Sequence, residues 1–251
     1  RDRPNELSWL GSAYHDGARL TKKFRSQAKD YQPGSMVWHI ECRNLDGLYN
    51  IFYSQAGVSK KIETKYIVIA TGAMERPVPI PGWTLPGVMT VGAVQSVLKN
   101  SGMYPSGKLV LAGAGPLVLQ LASQLIGAGI SILAILDTSP KGSFLKALRH
   151  FPRALFAGDY LYKGWNLTNK IMQSNTKVYR NVTELNASGD GRLQNLSFKV
   201  NETKHCLKAD TLALHEGILP NVQLTRLLDL EHVWSPRQRS FSPVVNSWGE
   251  T

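Results

Sequence analysis

The chain is poor in cysteine: Cys42 and Cys206 are its only two in 251 residues, and no C-x-x-C occurs. That spacing excludes a zinc ribbon and a local dithiol redox centre, because both need paired thiolates close in sequence. None of the six histidines (His15, His39, His150, His205, His215, His232) stands in an H-E-x-x-H, so no helical zinc site is expected. A G-x-S-x-G elbow is also missing, which argues against a serine hydrolase. Acidic residues are outnumbered, 18 against 29 Lys and Arg, for a formal charge of +11. The basic residues are scattered and lack interleaved aromatics, so a solvated face is expected and nucleic acid is not an expected partner. No repeat of fixed period appears. No signal peptide is visible, and the five N-x-S/T triplets fall in an Asn-rich region. The expectation is therefore a cytoplasmic protein, with peripheral contact to the inner membrane through a complex as the alternative.

With 43% hydrophobic residues and 22 glycines, the chain has globular composition, enough for one large core or two modest domains. The first stretch, RDRPNELSWLGSAYHDGARLTKKFRSQAK, has the spacing of a helix after a loop, with Ala18, Leu20 and Phe24 as apolar anchors. MVWHIEC and LYNIFYS predict strands, and KKIETKYIVIATG predicts a strand running into a covered sheet. The stretch RPVPIPGWTLPG carries too many prolines and glycines for regular structure and reads as a rigid connector; VGAVQSVLK after it reads as a short amphipathic helix, and SGMYPSGK closes the connector. TKVYRNVTEL, RLQNLSFKV and HCLKADTLALHEG predict strands, with ASGDG as a hairpin turn, and a helical segment after Asp137 is broken at Pro152. Trp83, Trp165, Trp234 and Trp248 read as packing residues.

Charge is absent again between Lys108 and Asp137, in LVLAGAGPLVLQLASQLIGAGISILAIL. About 20 apolar residues suffice to cross a bilayer. Here, however, glycines at 113, 115, 127 and 129, Pro116, and the polar Gln120, Ser123 and Gln124 divide the run. LVLAG reads as a buried strand, PLVLQLASQLIGAG as a helix with proline in its first turn, and ISILAILD as a second strand. Parallel strands covered on both faces need no charge, so the absence points to a β-α-β unit and no transmembrane segment is expected.

The glycines then have a chemical reason. Gly113 permits the strand-to-helix turn, and Gly115 lets backbone approach a pyrophosphate at the helix N-terminus, with Pro116 opening the helix. Asp137 lies 137 − 113 = 24 residues on, near the roughly 20-residue offset of a carboxylate that accepts from a ribose hydroxyl. That carboxylate favours NAD over NADP; ATP or ADP at the same turn is the alternative. Val118 stands where the fingerprint has a third small residue, and is expected to push the helix away from the strand. Two further signals are the apolar run ending in Ala70-Thr71-Gly72, and ADTLALHEGILPN, ending at Gly217. His215 and Glu216 read more simply as packed residues than as a catalytic acid and base.

In this order, ATG…RPVPIPG, GAGP and DTLALHEGILPN resemble the pyridine nucleotide–disulfide oxidoreductase superfamily. Within it, the phrases ERPVPIPGWTLPGV, AGAGPLVLQLA and Trp234-x-x-x-Gln238-Arg239 are similar to one group in particular. That group holds the A subunits of opine oxidases, the B subunits of hydrogen cyanide synthases and the α subunits of amino-acid dehydrogenases. The resemblance implies an α/β flavoprotein fold, a Rossmann-like NAD domain inserted in an FAD domain. The expected division is a partial FAD-binding domain at 1–85, a connector at 86–106, an NAD(P)-type domain at 107–218 and a return to the FAD domain at 219–251.

The implied cofactors are FAD and a second nucleotide. The candidate contacts are Ala70, Thr71, Gly72 and Gly217 beside the flavin, and Gly113, Gly115, Pro116 and Asp137 at the second site. The superfamily's own FAD glycine motif is not found before Arg1, so an internal fragment that binds FAD poorly by itself is expected. The implied partner is a flavoprotein β subunit that oxidises a small molecule. That role would leave this chain without a catalytic acid or base of its own, and none is assigned. The alternatives are a self-sufficient ferredoxin- or rubredoxin-type reductase, or a nucleotide-binding scaffold without redox activity.

Overall fold

Leu109 to Gly113 is buried at every position, because both faces of this strand are covered. The computed structural model describes residues 12–43, 47–142 and 155–251. They fall into two units, 1–17 with 75–217, and 18–74 with 218–251.

In the first unit, five strands form a parallel sheet in the order β5 (Val88–Thr90), β12 (Thr211–His215), β6 (Leu109–Gly113), β7 (Ala134–Asp137) and β8 (Lys177–Arg180). The alternation of a strand sends successive side chains to opposite faces. Leu109 and Leu111 of β6 join Val91, Val94 and Leu98 of α2 (Val91–Ser101) and Val118, Leu121 and Leu125 of α3 (Pro116–Gly127). Val110 and Ala112 point the other way, into a core with Leu185, Leu196 and Phe198. That second layer is an antiparallel sheet in the order β11 (Thr203–Lys208), β10 (Asn195–Val200), β9 (Val182–Ser188). A third helix, α4 (Gly158–Met172), packs beside α3.

Local chemistry sets the ends of these elements. The Thr90 hydroxyl accepts from the Ala93 N–H at the start of α2, and Gly102, at φ 68°, closes it with a bond to the Leu98 carbonyl. Residues 86–106 hold β5 and α2 within this unit, and α2 covers the helix expected at VGAVQSVLK. The proline-rich stretch before them has no regular structure and lies along the antiparallel layer: Ile80 packs on its core, and the Pro81 and Pro86 carbonyls accept from Ala187 and Leu193.

The second unit contains α1 (Ser12–Gln27), most of which belongs to it, and an antiparallel sheet β1 (Ser35–Arg43), β2 (Leu48–Gln55), β3 (Val58–Thr64). It also holds β13 (Ile218–Pro220), paired with β4 (Ala73–Glu75), whose last residue, Glu75, belongs to the first unit, together with the short helix α5 (Gln223–Leu227) and the hairpin β14 (His232–Ser235), β15 (Ser240–Pro243).

The structure corrects four expectations. The apolar run Tyr66 to Gly72 is no strand: it has no ladder partner among the described residues, and Tyr66 and Val68 are 86% and 91% exposed. The second strand of the charge-free segment begins at Ala134 and not at Ile130, though Ile132 is still buried. Leu20 and Phe24 of α1 are exposed, and Phe24 meets only the edge of Tyr31 among the described rings. Trp83, Trp165, Trp234 and Trp248 are also exposed and do not fill the core. The break expected at Pro152 lies outside the described residues. Among the described residues, no helix is long and apolar enough to cross a membrane.

Candidate functional site

The C-terminal ends of β6, β7 and β12 meet at one point, where open parallel sheets present ligand sites. Gly113 stands there at φ 141°, and a Cβ on it would lie 1.9 Å from the His215 carbonyl oxygen. Only glycine permits that approach. The approach in turn allows the next residue, Ala114, to donate its N–H to the same carbonyl at 3.0 Å. Gly115, at φ 102° and ψ 176°, opens α3 and occupies a backbone region reserved for glycine. A Cβ there would meet nothing within 4 Å, so this residue faces open space. No side chain caps α3, and Pro116 takes its first turn. The helix therefore presents its partial positive end to open space, in a form that suits an anion.

Asp137 ends β7 directly beside Gly113 in the parallel pairing. Its Oδ1 accepts from the Ser139 N–H at 2.9 Å, which leaves the other oxygen for a hydroxyl. Thr138 donates its N–H to the Gly113 carbonyl at 3.2 Å and its hydroxyl to Glu216 Oε1 at 2.5 Å. Just beyond, a cleft of about 170 Å³ is lined by Thr138, Ser139, Lys141, Asn181 and Asn201, among others. That is below the roughly 300 Å³ at which ligand pockets begin. Val118 does not obstruct the turn: it is 3% exposed and absorbed into the core between α3 and the sheet.

The structure thus brings Gly113, Gly115, Pro116 and Asp137 together, with Gly217 two residues beyond the end of β12. Gly217 has φ 98°, faces open space and accepts from the Arg76 N–H. Ala70, Thr71 and Gly72 belong to the second unit and are exposed. There, Gly72 accepts from the Asn221 N–H at 3.1 Å, and the Thr71 hydroxyl donates to the Asn221 carbonyl at 3.4 Å. Gly72 sits at φ 71° with open space where its Cβ would be.

Sequence reasoning missed Glu75. His215, read from the sequence as a packed residue, is buried, and its Nδ1 lies 2.5 Å from Glu75 Oε1. The second oxygen of Glu75 accepts from the Gly92 N–H at 2.6 Å. Glu75 is separated from His215 by 140 residues, and no spacing rule connects them. Among the described residues, no group of three His, Cys, Asp or Glu is placed to hold a metal.

Residues 11–251 match the family described as pyridine nucleotide-disulphide oxidoreductase. The chain belongs to that family. The A subunit of opine oxidase from Rhizobium meliloti is 38% identical over the whole chain, which covers 48% of that protein. The HcnB subunit of hydrogen cyanide synthase from Pseudomonas aeruginosa is 29% identical over 87% of the chain and 49% of its own length. The chain therefore spans about half the length of the curated relatives it matches. Among solved structures, a bacillithiol disulfide reductase from Staphylococcus aureus superposes with a TM-score of 0.62 at 12% identity, covering 98% of this chain and 71% of that one. The thioredoxin reductase of T. acidophilum gives 0.58 at 17%, over 92% and 67%. These likenesses show the pyridine nucleotide-disulphide oxidoreductase fold, α/β with a parallel sheet.

Proposed function

We propose that the chain is part of an FAD-dependent oxidoreductase, the electron-transferring, nucleotide-binding α subunit of a complex that oxidises an opine, amino acid or amine. The observation that carries this reading is the 38% identity to the opine oxidase relative along the full length of the chain. On this reading the division into a partial FAD-binding domain, an NAD-type domain and a returning segment also holds, and a β-type flavoprotein subunit oxidises the substrate. When bound, the flavin supplies the redox chemistry. This chain contributes orientation and electrostatics: Ala70, Thr71 and Gly72 as backbone beside the flavin, with Gly217 at the end of the returning strand.

At the second site, Gly113, Gly115 and Pro116 would receive the phosphates and Asp137 a ribose hydroxyl. Two observations support this: the uncapped start of α3, and the open space at Gly115. NAD is the favoured occupant, since a 2′-phosphate would meet the Asp137 charge; ADP or ATP is the alternative. Asp137→Asn keeps an acceptor for the Ser139 N–H while removing the charge. It is expected to raise the NADP-to-NAD affinity ratio about tenfold, the effect of one charge pair in a partly exposed site. An unchanged ratio in calorimetry, with NAD bound by both proteins, would remove Asp137 from the site.

The whole proposal is tested by tagging the chain in its host and isolating its complex. The expected complex contains a second flavoprotein and reduces an artificial acceptor with an opine or amino acid. A preparation that oxidises NADH and ignores those substrates favours the self-sufficient reductase. The chain spans about half the length of its relatives and, purified alone, is expected to retain little flavin; stoichiometric flavin absorbance would contradict that expectation.

A further inference from the structure

Two carboxylates and a histidine, Glu75, Glu216 and His215, are tied by hydrogen bonds to the elements that flank the glycine turn. Glu75 bridges two elements, with one oxygen on His215 Nδ1 at the end of β12 and the other on the Gly92 N–H in the first turn of α2. Both side chains are nearly enclosed, 10% exposed for Glu75 and 6% for His215. With the Glu75 carboxylate as acceptor, the hydrogen between them sits on Nδ1. The main chain of His215 meets the turn itself. Its carbonyl accepts from Ala114 and limits residue 113 to glycine, and the residue pairs with Gly113 across the β12–β6 ladder. Glu216 reaches the opposite flank, where its carboxylate accepts from the Thr138 hydroxyl while the Thr138 N–H donates to Gly113.

We propose that Glu75 and His215 are a positioning pair that holds the Gly113–Gly115 turn in its anion-accepting shape, acting through the end of β12 without touching the ligand. The idea rests on the nucleotide reading of that turn. A shift of β12 by a few tenths of an ångström moves the carbonyl that orients Ala114, and with it the N-terminus of α3. Glu75 holds β12 against this shift because its second anchor is the rigid first turn of α2. The dipeptide His215-Glu216 thereby grips both sides of the turn, Ala114 through the backbone and Thr138 through a side chain.

The test compares Glu75→Ala and Glu75→Gln with the unmodified chain. Glutamine can offer its oxygen to the Gly92 N–H and its amide hydrogens to His215 Nδ1, provided the imidazole moves its own hydrogen to Nε2. The first readout is amide hydrogen exchange. Glu75→Ala is expected to speed exchange at Ala114 and Thr138 about tenfold more than at Leu196 in β10, and Glu75→Gln to restore most of the protection. Nitrogen NMR is expected to show the tautomer switch in the glutamine variant. A role in overall stability alone would speed Leu196 equally, and that result overturns the proposal, as does a glutamine variant indistinguishable from the alanine one.

Should Glu75→Ala fail to fold, His215→Gln carries the same comparison of Ala114 with Leu196. The second readout is ADP and NAD affinity by calorimetry, expected to fall about tenfold in Glu75→Ala. If the unmodified chain binds neither nucleotide, the nucleotide reading fails, while the exchange result still decides the positioning role.

Discussion

Adding one methyl group at Gly113 separates the two glycines of the turn by magnitude. A Cβ there would stand 1.9 Å from the His215 oxygen and 2.7 Å from its carbonyl carbon, whereas ordinary contact begins at 3.4 Å. The end of β12 would have to retreat about 1.5 Å (3.4 − 1.9), more than a close-packed core allows without rearrangement. The bond from Ala114 to His215 would break and the one from Thr138 to Gly113 would be disturbed, at about 1 kcal/mol each. Overpacking adds about 2 kcal/mol and the positive φ about 2 more, for a total of about 6 kcal/mol. Gly115→Ala carries only the backbone cost, about 1–3 kcal/mol, because its Cβ meets nothing.

Since domains are stable by only about 5–15 kcal/mol, Gly113→Ala is expected to remove much of the first unit's stability. Gly115→Ala is expected to stay folded while losing nucleotide affinity. Urea titration followed by circular dichroism measures both. Equal midpoints for the two variants, or a Gly113→Ala midpoint within error of the unmodified chain, would refute the reasoning.

Two further outcomes concern stability. Gln95 donates to Gln124 Oε1 at 2.9 Å in the buried layer between α2 and α3, so Gln124→Leu leaves an amide without this acceptor and is expected to cost about 1–3 kcal/mol in the same titration. Burial lowers the Lys99 ammonium below its ordinary 10.5. Between that lowered value and 10.5 Lys99 holds more proton in the unfolded chain than in the folded one, so stability gains as pH rises through this window. Lys99→Met is expected to abolish the gain, and urea midpoints measured across the alkaline range check it.

Several features were legible because their cause is local. The division of the charge-free run into β6, α3 and β7 follows from where glycine, proline and polar side chains interrupt it, and the placement of Asp137 beside Gly113 follows from the length of that unit. The run Tyr66 to Thr71 has the composition of a buried strand and is exposed, because a strand exists only with a ladder partner. The four tryptophans were misjudged for a related reason: size favours burial, but an aromatic is buried only where another surface meets it.

Sequence by itself determined the β-α-β unit, the two glycines with distinct backbone demands, and the family signature of residues 70–72, 113–116 and 217–221. These are properties of consecutive residues, set by backbone sterics and by hydrophobic periodicity. Only the tertiary structure decided that Glu75 meets His215, that Glu216 takes the Thr138 hydroxyl, and that Val118 enters the core. Those contacts depend on which strand ends lie side by side in the sheet. Strand order brings together residues 140 positions apart, and no spacing along the chain encodes it.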